Sequence, residues 1–143
     1  MNLPAFLVVG CFLFLGSMGG QAQTLARHWS FAEMRVDTSR MDGFQKNLMT
    51  LMREGLQGST MNLKADGRYE AVSKNGAGTM QTETGTWRYD SLAKTLLITT
   101  DGAQADPSRT QTLPVVSVSA DALVFTPPAG SSPERIEFVY KPR

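Results

Sequence analysis

The sequence predicts a mainly β protein in which about eight antiparallel strands form an up-and-down meander and close into a small barrel, with one amphipathic helix after the first strand. Three observations support this fold class. Apolar and polar residues alternate through most of the chain, as they do in strands with one buried face. Turn dipeptides such as Asp66-Gly67 and Asp101-Gly102 separate these segments. One stretch instead has the three- and four-residue apolar spacing of a helix.

The N-terminal stretch predicts a secretory signal peptide. Residues 1–16 carry no charged side chain, and an apolar run of about a dozen residues is too short for a transmembrane helix but typical of a signal peptide. Small residues follow, and Gly20-Gln21-Ala22 predicts cleavage before Gln23. We therefore expect a signal peptide over residues 1–22 and an exported domain, periplasmic or secreted, over residues 23–143. The alternative is a lipoprotein acylated at Cys11, because residues 8–11 resemble a lipobox.

The composition beyond the leader excludes several kinds of site. Cys11 is the only cysteine, so the mature domain would have no disulfide, thiolate nucleophile or cysteine metal site. The single histidine, His28, is too few for a Ser-His-Asp relay or a histidine-rich metal site. A net charge of +1 with well-mixed signs gives no basic surface for nucleic acid. We expect one non-catalytic domain without a cofactor or metal, and without a membrane span once the signal peptide is removed.

The first strand is predicted over residues 29–36. Trp29 and Phe31 share one face, and Met34 and Val36 continue that face after a shift of phase. A β-bulge would produce such a shift.

The helix is predicted next, with an apolar stripe turned inward so that it caps one open end of the barrel or packs along its side. Ser39 with Asp42 predicts a capping box, and Gly55 or Gly58 predicts the end of the helix. The stripe consists of Met41, Phe44, Leu48, Leu51, Met52 and Leu56.

The remaining chain is predicted as strands and turns. Residues 61–65 and 69–73 alternate on either side of Asp66-Gly67, which predicts a two-residue hairpin. Polar loops are predicted at 103–110 and 127–133. Further strands are predicted in order at 80–89, 96–100, 116–118, 123–125 and 136–140. Short turns between antiparallel strands favour closure into a barrel, and a two-sheet sandwich of the same strands is the alternative.

Four segments follow one another along the chain: residues 59–71 with the Asp66-Gly67 turn, 85–90 with Gly85-Thr86-Trp87, 94–98 and 119–125. Together they resemble the lipocalin-like domain of many exported proteins from Bacteroidetes-type bacteria. The resemblance implies a small β-barrel with a helix near its start, and it implies no catalytic site. In true lipocalins a Gly-x-Trp motif lies on the first strand, whereas here Gly85-Thr86-Trp87 lies in the middle of the chain.

Aromatic residues on the strands are the candidate ligand-binding residues. In an open barrel they would line a pocket for an apolar or planar ligand, whereas in a closed barrel they would form the core. A short chain favours the closed interior. We expect a binding module for a small apolar ligand or a protein partner, and the alternative is an envelope interaction protein that binds through its outer surface. The candidate residues are Tyr69, Trp87, Tyr89, Phe138 and Tyr140.

Two other residue classes allow further functions. A hydrolase needs only two suitably placed carboxylates, and four glutamates lie on predicted strands: Glu33, Glu70, Glu83 and Glu137. We expect each to face solvent, out of phase with a neighbouring apolar face, so a carboxylate-based hydrolase is a minor alternative. Methionines with His28 would suit copper(I). Met41 and Met52, however, lie on the helix stripe and predict core packing.

Overall fold

We describe the fold from a computed structural model over residues 20–102, 110–128 and 135–143. The predictions for residues 1–19, and those for the loop residues 103–109 and 129–134, lie outside the described residues. Two helices and eight strands follow one another in the order α1 Gly20–Leu25, β1 His28–Val36, α2 Gly43–Leu56, β2 Thr60–Leu63, β3 Arg68–Lys74, β4 Met80–Asp90, β5 Thr95–Thr100, β6 Thr110–Val118, β7 Leu123–Phe125 and β8 Ile136–Pro142.

The strands form a closed antiparallel barrel in which each strand pairs with the next and β8 pairs with β1. This arrangement confirms the predicted up-and-down meander over the sandwich. The register of β1 against β8 shifts between Phe31 and Glu33, which confirms the predicted bulge. The extra residue keeps Phe31 and Met34 on the same face of the strand.

One end of the barrel, which we call the closed end, carries α1 and the turns after β2, β4 and β6. Trp29 is fully buried there, and its Nε1 donates a hydrogen bond to the carbonyl oxygen of Leu25 at 2.9 Å. The Arg27 guanidinium lies 5.5 Å from the centroid of the Trp29 ring and donates to the Ala120 carbonyl oxygen at 2.9 Å. Apolar packing and satisfied polar groups therefore seal this end.

The barrel interior is filled from the closed end by a single apolar cluster. Alternation along each strand places every second side chain on the inner face, and the inner side chains interdigitate as a core. The buried members are Leu25, Trp29, Met61, Leu63, Tyr69, Trp87, Leu96, Ile98, Leu113, Val115, Leu123, Phe125 and Tyr140.

Helix α2 lies at the opposite end, which we call the open end, together with the turn after β3 and the ends of β5 and β7. Its capping box is formed by Asp42 and Gln45, three residues later than the box predicted at Ser39. Gly58, with φ of 79°, follows the C-cap residue Gln57 and adopts the left-handed conformation that ends many helices.

The apolar stripe of α2 is exposed, so the expectation that it turns inward was wrong. No residue of α2 is buried, and the exposed fractions of Phe44 and Leu51 are 72% and 62%. The reason is that strand side chains already fill the interior, while α2 contacts the rim of the barrel at β1 and β3. Met41, two residues before the helix begins, is buried as predicted, but Met52 on the stripe is 40% exposed.

Candidate functional site

The inner face of β4 continues beyond the apolar core to the open end. Gly85 and Trp87 are buried inner-face positions, and side chains alternate along the strand, so Glu83 also faces inward. The prediction that Glu83 lies out of phase with the apolar residues was therefore wrong, although its side chain is exposed to solvent as expected. The face on which Glu83 lies can be assigned only from the buried Gly85, because the five preceding residues of β4 are all exposed and do not distinguish the two faces.

The other three strand glutamates lie on the outer face, out of phase with the apolar residues as predicted, although only Glu33 is exposed while Glu70 and Glu137 are half-buried. Glu33 pairs in register with Val139, and Glu137 pairs with Arg35. Both glutamates therefore lie on the other face of β1 and β8 from the aromatic residues. Glu70 directly follows the buried Tyr69 on β3 and therefore faces outward. Glu83 is the member of this set that lies in phase with the inner face, at the exposed open end of β4.

Two hydroxyl groups hold the Glu83 carboxylate. The Tyr69 hydroxyl donates a hydrogen bond to Glu83 Oε1, and the Thr100 hydroxyl donates to the same oxygen at 3.0 Å. Burial raises the pKa of Tyr69 above its ordinary value, and the hydrogen bond to Glu83 raises this pKa further. Tyr69 therefore remains protonated at neutral pH and continues to act as a donor.

A second polar group lies on the outer side of the same rim. Arg68 binds Asp101 through two hydrogen bonds, of 3.1 and 2.8 Å, and the Thr84 hydroxyl donates to Asp101 Oδ2 at 2.7 Å. The hydrogen bonds from Arg68, and then from Thr84, hold the pKa of Asp101 below its usual range. The Asp101 backbone N–H also donates to the Thr84 carbonyl oxygen at 2.9 Å, which fixes the chain as it leaves β5.

Between these two groups lies a cavity of about 390 Å³, lined by Gln81, Thr82, Glu83, Thr84, Thr100 and Asp101. It forms because β4 is longer than β5. The last pair between them joins Gly85 to Thr100, so Met80–Thr84 pairs with β3 but with no described strand on its other side. We call this space the rim cavity. Its size lies within the range of small-ligand pockets, and its lining is polar.

A second cavity, of about 380 Å³, lies beside the end of β1 and is lined by Arg35, Val36, Asp37, Arg135 and Glu137. Its Glu137 carboxylate is paired with Arg135 at 3.0 Å. The rim cavity is therefore the stronger candidate site, because its inner carboxylate makes no ion pair within the part of the chain that the structure describes.

The structure places the five candidate aromatic residues on the inner face, chiefly as core. The Tyr140 ring stacks on Phe125 with centroids 5.3 Å apart, and Phe138 lies 5.7 Å from the same ring. Phe31 contacts Tyr140 edge to face at 5.7 Å. Burial raises the pKa of Tyr140 to about 12.

The remaining candidates divide between the two ends of the barrel. Trp87 is buried, and its Nε1 donates to the Lys64 carbonyl oxygen at 2.8 Å near the closed end. Tyr89 is half-buried against the core. Tyr69 contacts the rim cavity through its hydroxyl and Glu83. The aromatic residues thus belong mainly to the core, and Tyr69 joins that core to the polar lining through its hydrogen bond to Glu83.

The sequence reasoning missed most of the residues that line the rim cavity. Gln81, Thr82 and Thr84 precede the apolar part of β4, Thr100 ends β5, and Asp101 follows it. One signal was available: the predicted strand at 80–89 was longer than its partner at 96–100, so some polar residues had to extend past the paired region.

A scan against protein-family models finds no match, and a search of curated proteins also finds none. Solved structures do match. A lipocalin-like protein from Bacteroides uniformis superposes with a TM-score of 0.53 over 84% of this chain and 99% of its own, at 12% sequence identity. The fold is lipocalin-like.

Two further Bacteroides structures support this lipocalin-like assignment. An uncharacterized protein from Bacteroides eggerthii has a TM-score of 0.50 and 11% identity, covering 82% of this chain and 98% of its own. A DUF4847 family protein from Bacteroides vulgatus has a TM-score of 0.50 and 13% identity, covering 86% and 96%. At such identities the likeness concerns the fold alone, and the resemblance seen in the sequence is confirmed at that level.

Metal and membrane features were also sought among the described residues. Within residues 20–102, 110–128 and 135–143, no three His, Cys, Asp or Glu side chains are arranged to hold a metal ion. Neither helix in these ranges is long and apolar enough to cross a membrane. Met34, Met41 and Met61 are buried, as expected for core packing.

The buried tyrosines predict a late alkaline titration. The chain has three tyrosines, and burial raises the pKa of Tyr69 and of Tyr140, the latter to about 12. A raised folded-state pKa stabilises the protein fully below the unfolded value of about 10, and this contribution is lost as pH rises through the folded value. We expect unfolding free energy to fall between about pH 10 and 12.

Phenolate absorbance during an alkaline pH jump measures this prediction directly. Tyr69 and Tyr140 should ionise later than free tyrosine while circular dichroism still reports the fold. Tyr140→Phe should remove one late-ionising group and leave the other. Ionisation of all three phenols at the pH of free tyrosine in the folded protein would contradict the burial described here.

Proposed function

We propose that this protein is an exported, non-catalytic binding module that holds a small ligand at the open end of its lipocalin-like barrel. One observation carries the proposal. The closed end and the interior are packed with apolar side chains, whereas the inner wall at the open end carries Glu83, Thr100 and the Tyr69 hydroxyl beside the rim cavity. Some eight-stranded barrels hold one small ligand, and the opening of a barrel is a common ligand position.

The arrangement of the carboxylates supports binding over hydrolysis. A carboxylate-based hydrolase needs two carboxyl groups facing one substrate. Glu83 faces the inner side of the rim, whereas Asp101 is held on the outer side by Arg68 and Thr84. Both carboxylates line the rim cavity, but the hydrogen bonds from Arg68 and Thr84 hold the pKa of Asp101 below its usual range, so Asp101 is poorly suited to act as the proton donor of such a pair.

Export is the second part of the proposal. Cleavage before Gln23 would leave Leu25 and its hydrogen bond from Trp29 in the mature chain, so the closed end would keep its seal. The mass of the intact exported protein tests this. A chain beginning at Gln23 is expected, and a chain beginning at an acylated Cys11 would overturn it.

Native mass spectrometry of protein purified from its own host tests ligand binding. Ser73 is half-buried on the inner face of β3, in register with Gln81 of the rim cavity. Ser73→Trp should block the open end, whereas Ser117→Trp places the same side chain at an exposed position of β6. We expect a small molecule retained by the wild-type and Ser117→Trp proteins and lost from Ser73→Trp. Equal retention by all three proteins, or retention by none, would contradict the proposal.

The alternative function, binding of a protein partner through the outer surface, is favoured by the exposed apolar stripe of α2. The same spectra distinguish the two functions. A protein-bound species that Leu51→Asp abolishes and Ser73→Trp leaves intact would favour the alternative.

A further inference from the structure

We propose that the ligand at the open end presents a cationic amine, and that Glu83 is the residue that binds it. This inference rests on the proposed function and adds the chemical class of the ligand. It follows from three features of the rim cavity: an uncompensated carboxylate, its fixed orientation, and the small side chain beside it.

Glu83 has no basic partner among the described residues, unlike Asp101, Glu33 and Glu137. Arg68 pairs with Asp101 at 2.8 Å, Arg35 with Glu33 at 2.7 Å and Arg135 with Glu137 at 3.0 Å. Glu83 instead accepts two neutral hydroxyl hydrogen bonds, both at Oε1. Its second oxygen accepts no hydrogen bond from the described chain, which leaves a full negative charge available to a ligand.

The carboxylate is also held in place before any ligand arrives. Tyr69 is buried, and its ring lies against Gly85 so closely that a Cβ at Gly85 would be 2.8 Å from Tyr69 Cε1. The Tyr69 hydroxyl can therefore move little, and Thr100 holds the same oxygen from β5. A charged group fixed in this way binds its partner with a smaller loss of side-chain entropy than a free glutamate.

The surroundings select the sign and the size of the ligand group. Gln81, Thr82 and Thr84 contribute neutral hydrogen-bonding groups, and the Arg68 charge is engaged by Asp101 on the outer side. An anionic ligand would meet the Glu83 charge without compensation, whereas an ammonium group would pair with it. Ala71 lies opposite Glu83 in the register of β3 and β4, so the neighbouring side chain on β3 is only a methyl group. A short alkyl amine fits this combination.

Three probes of equal chain length test the inference: butylamine, which is protonated at neutral pH, butanol and butyrate. Each is titrated into the mature protein, and backbone amide shifts of the rim-cavity residues are followed by NMR. Glu83→Gln removes the charge and keeps the shape. Glu70→Gln is the matched control, because Glu70 lies on the outer face of the neighbouring strand and pairs in register with Thr84.

We expect butylamine to bind most tightly of the three, its dissociation constant to rise at least about tenfold in Glu83→Gln, and its binding to Glu70→Gln to match wild type. Equal butylamine affinity in Glu83→Gln, or equal affinity for butanol or butyrate, overturns the inference. If butanol or butyrate shifts the backbone amide signals of the rim-cavity residues and butylamine does not, the rim cavity binds a ligand but the cationic class is wrong. If no probe shifts them and no host molecule is retained, the proposed function fails as well.

Discussion

Gly85→Ala is expected to lower the unfolding free energy by about 3 kcal/mol. A Cβ at this position would overlap the Thr99 carbonyl oxygen and lie 2.9 Å from the Thr100 Cα. Both are backbone atoms of the paired strand, so β5 would have to move away from β4 to make room. The same Cβ would press on the Tyr69 ring, which supports Glu83. The substitution should therefore disturb both the barrel wall and the open end.

Urea unfolding followed by tryptophan fluorescence measures this effect, and Gly55→Ala is the matched control. Gly55 lies inside α2, and no heavy atom lies within 4 Å of the position that an alanine methyl group would take there. Alanine is favoured over glycine within helices, so Gly55→Ala should stabilise the protein by up to about 1 kcal/mol. A Gly85→Ala protein within about 0.5 kcal/mol of wild type would show that β4 and β5 do not approach as closely as described.

The barrel could be predicted because its determinants are local in the sequence. Asp66-Gly67 specifies a tight turn, and Gly67 has φ of 86° between the paired strands β2 and β3. The two-residue hairpin predicted there was wrong, because β2 ends at Leu63 and the Gly67 N–H donates to the Lys64 carbonyl oxygen, which makes the turn longer. The phase shift in β1 predicted a bulge at its observed position between Phe31 and Glu33. Alternation and turn residues thus determined strand order and register.

The orientation of two features could not be read from local pattern. Alternation assigns a face only relative to apolar neighbours, and the polar half of β4 has none, so the inward orientation of Glu83 was missed. The periodicity of α2 showed that the helix is amphipathic, but not whether anything covers Phe44 or Leu51. Whether the α2 stripe is covered depends on how much of the interior the strand side chains already fill, which is a property of the whole fold.

The rim cavity depends on tertiary geometry for the same reason. It exists because β4 extends past the end of β5, and because Asp101 turns back to bind Arg68 and Thr84. These contacts join residues 33 and 17 positions apart in the chain. Alternation correctly placed the candidate aromatic residues on the inner face. The polar residues of the rim cavity come from strand ends, where the alternation of apolar and polar residues is weakest.

Trp29→Ala is expected to lower the unfolding free energy by about 3 to 5 kcal/mol. Trp29 is fully buried, and its loss would open a large void beneath α1. It would also remove the donor to the Leu25 carbonyl oxygen and the ring on which Arg27 lies. Because the remaining core residues are held by the strand framework, they would fill this void only in part.

Phe44→Ala is the control, since it deletes an aromatic ring that is 72% exposed, and it should cost less than about 1 kcal/mol. Urea unfolding followed by circular dichroism compares the two variants without relying on the lost tryptophan. A similar cost for both would show that the α2 stripe is covered in solution. The expected difference has a functional meaning, because a closed end that supplies the stability of the barrel leaves the polar open end free to bind a ligand.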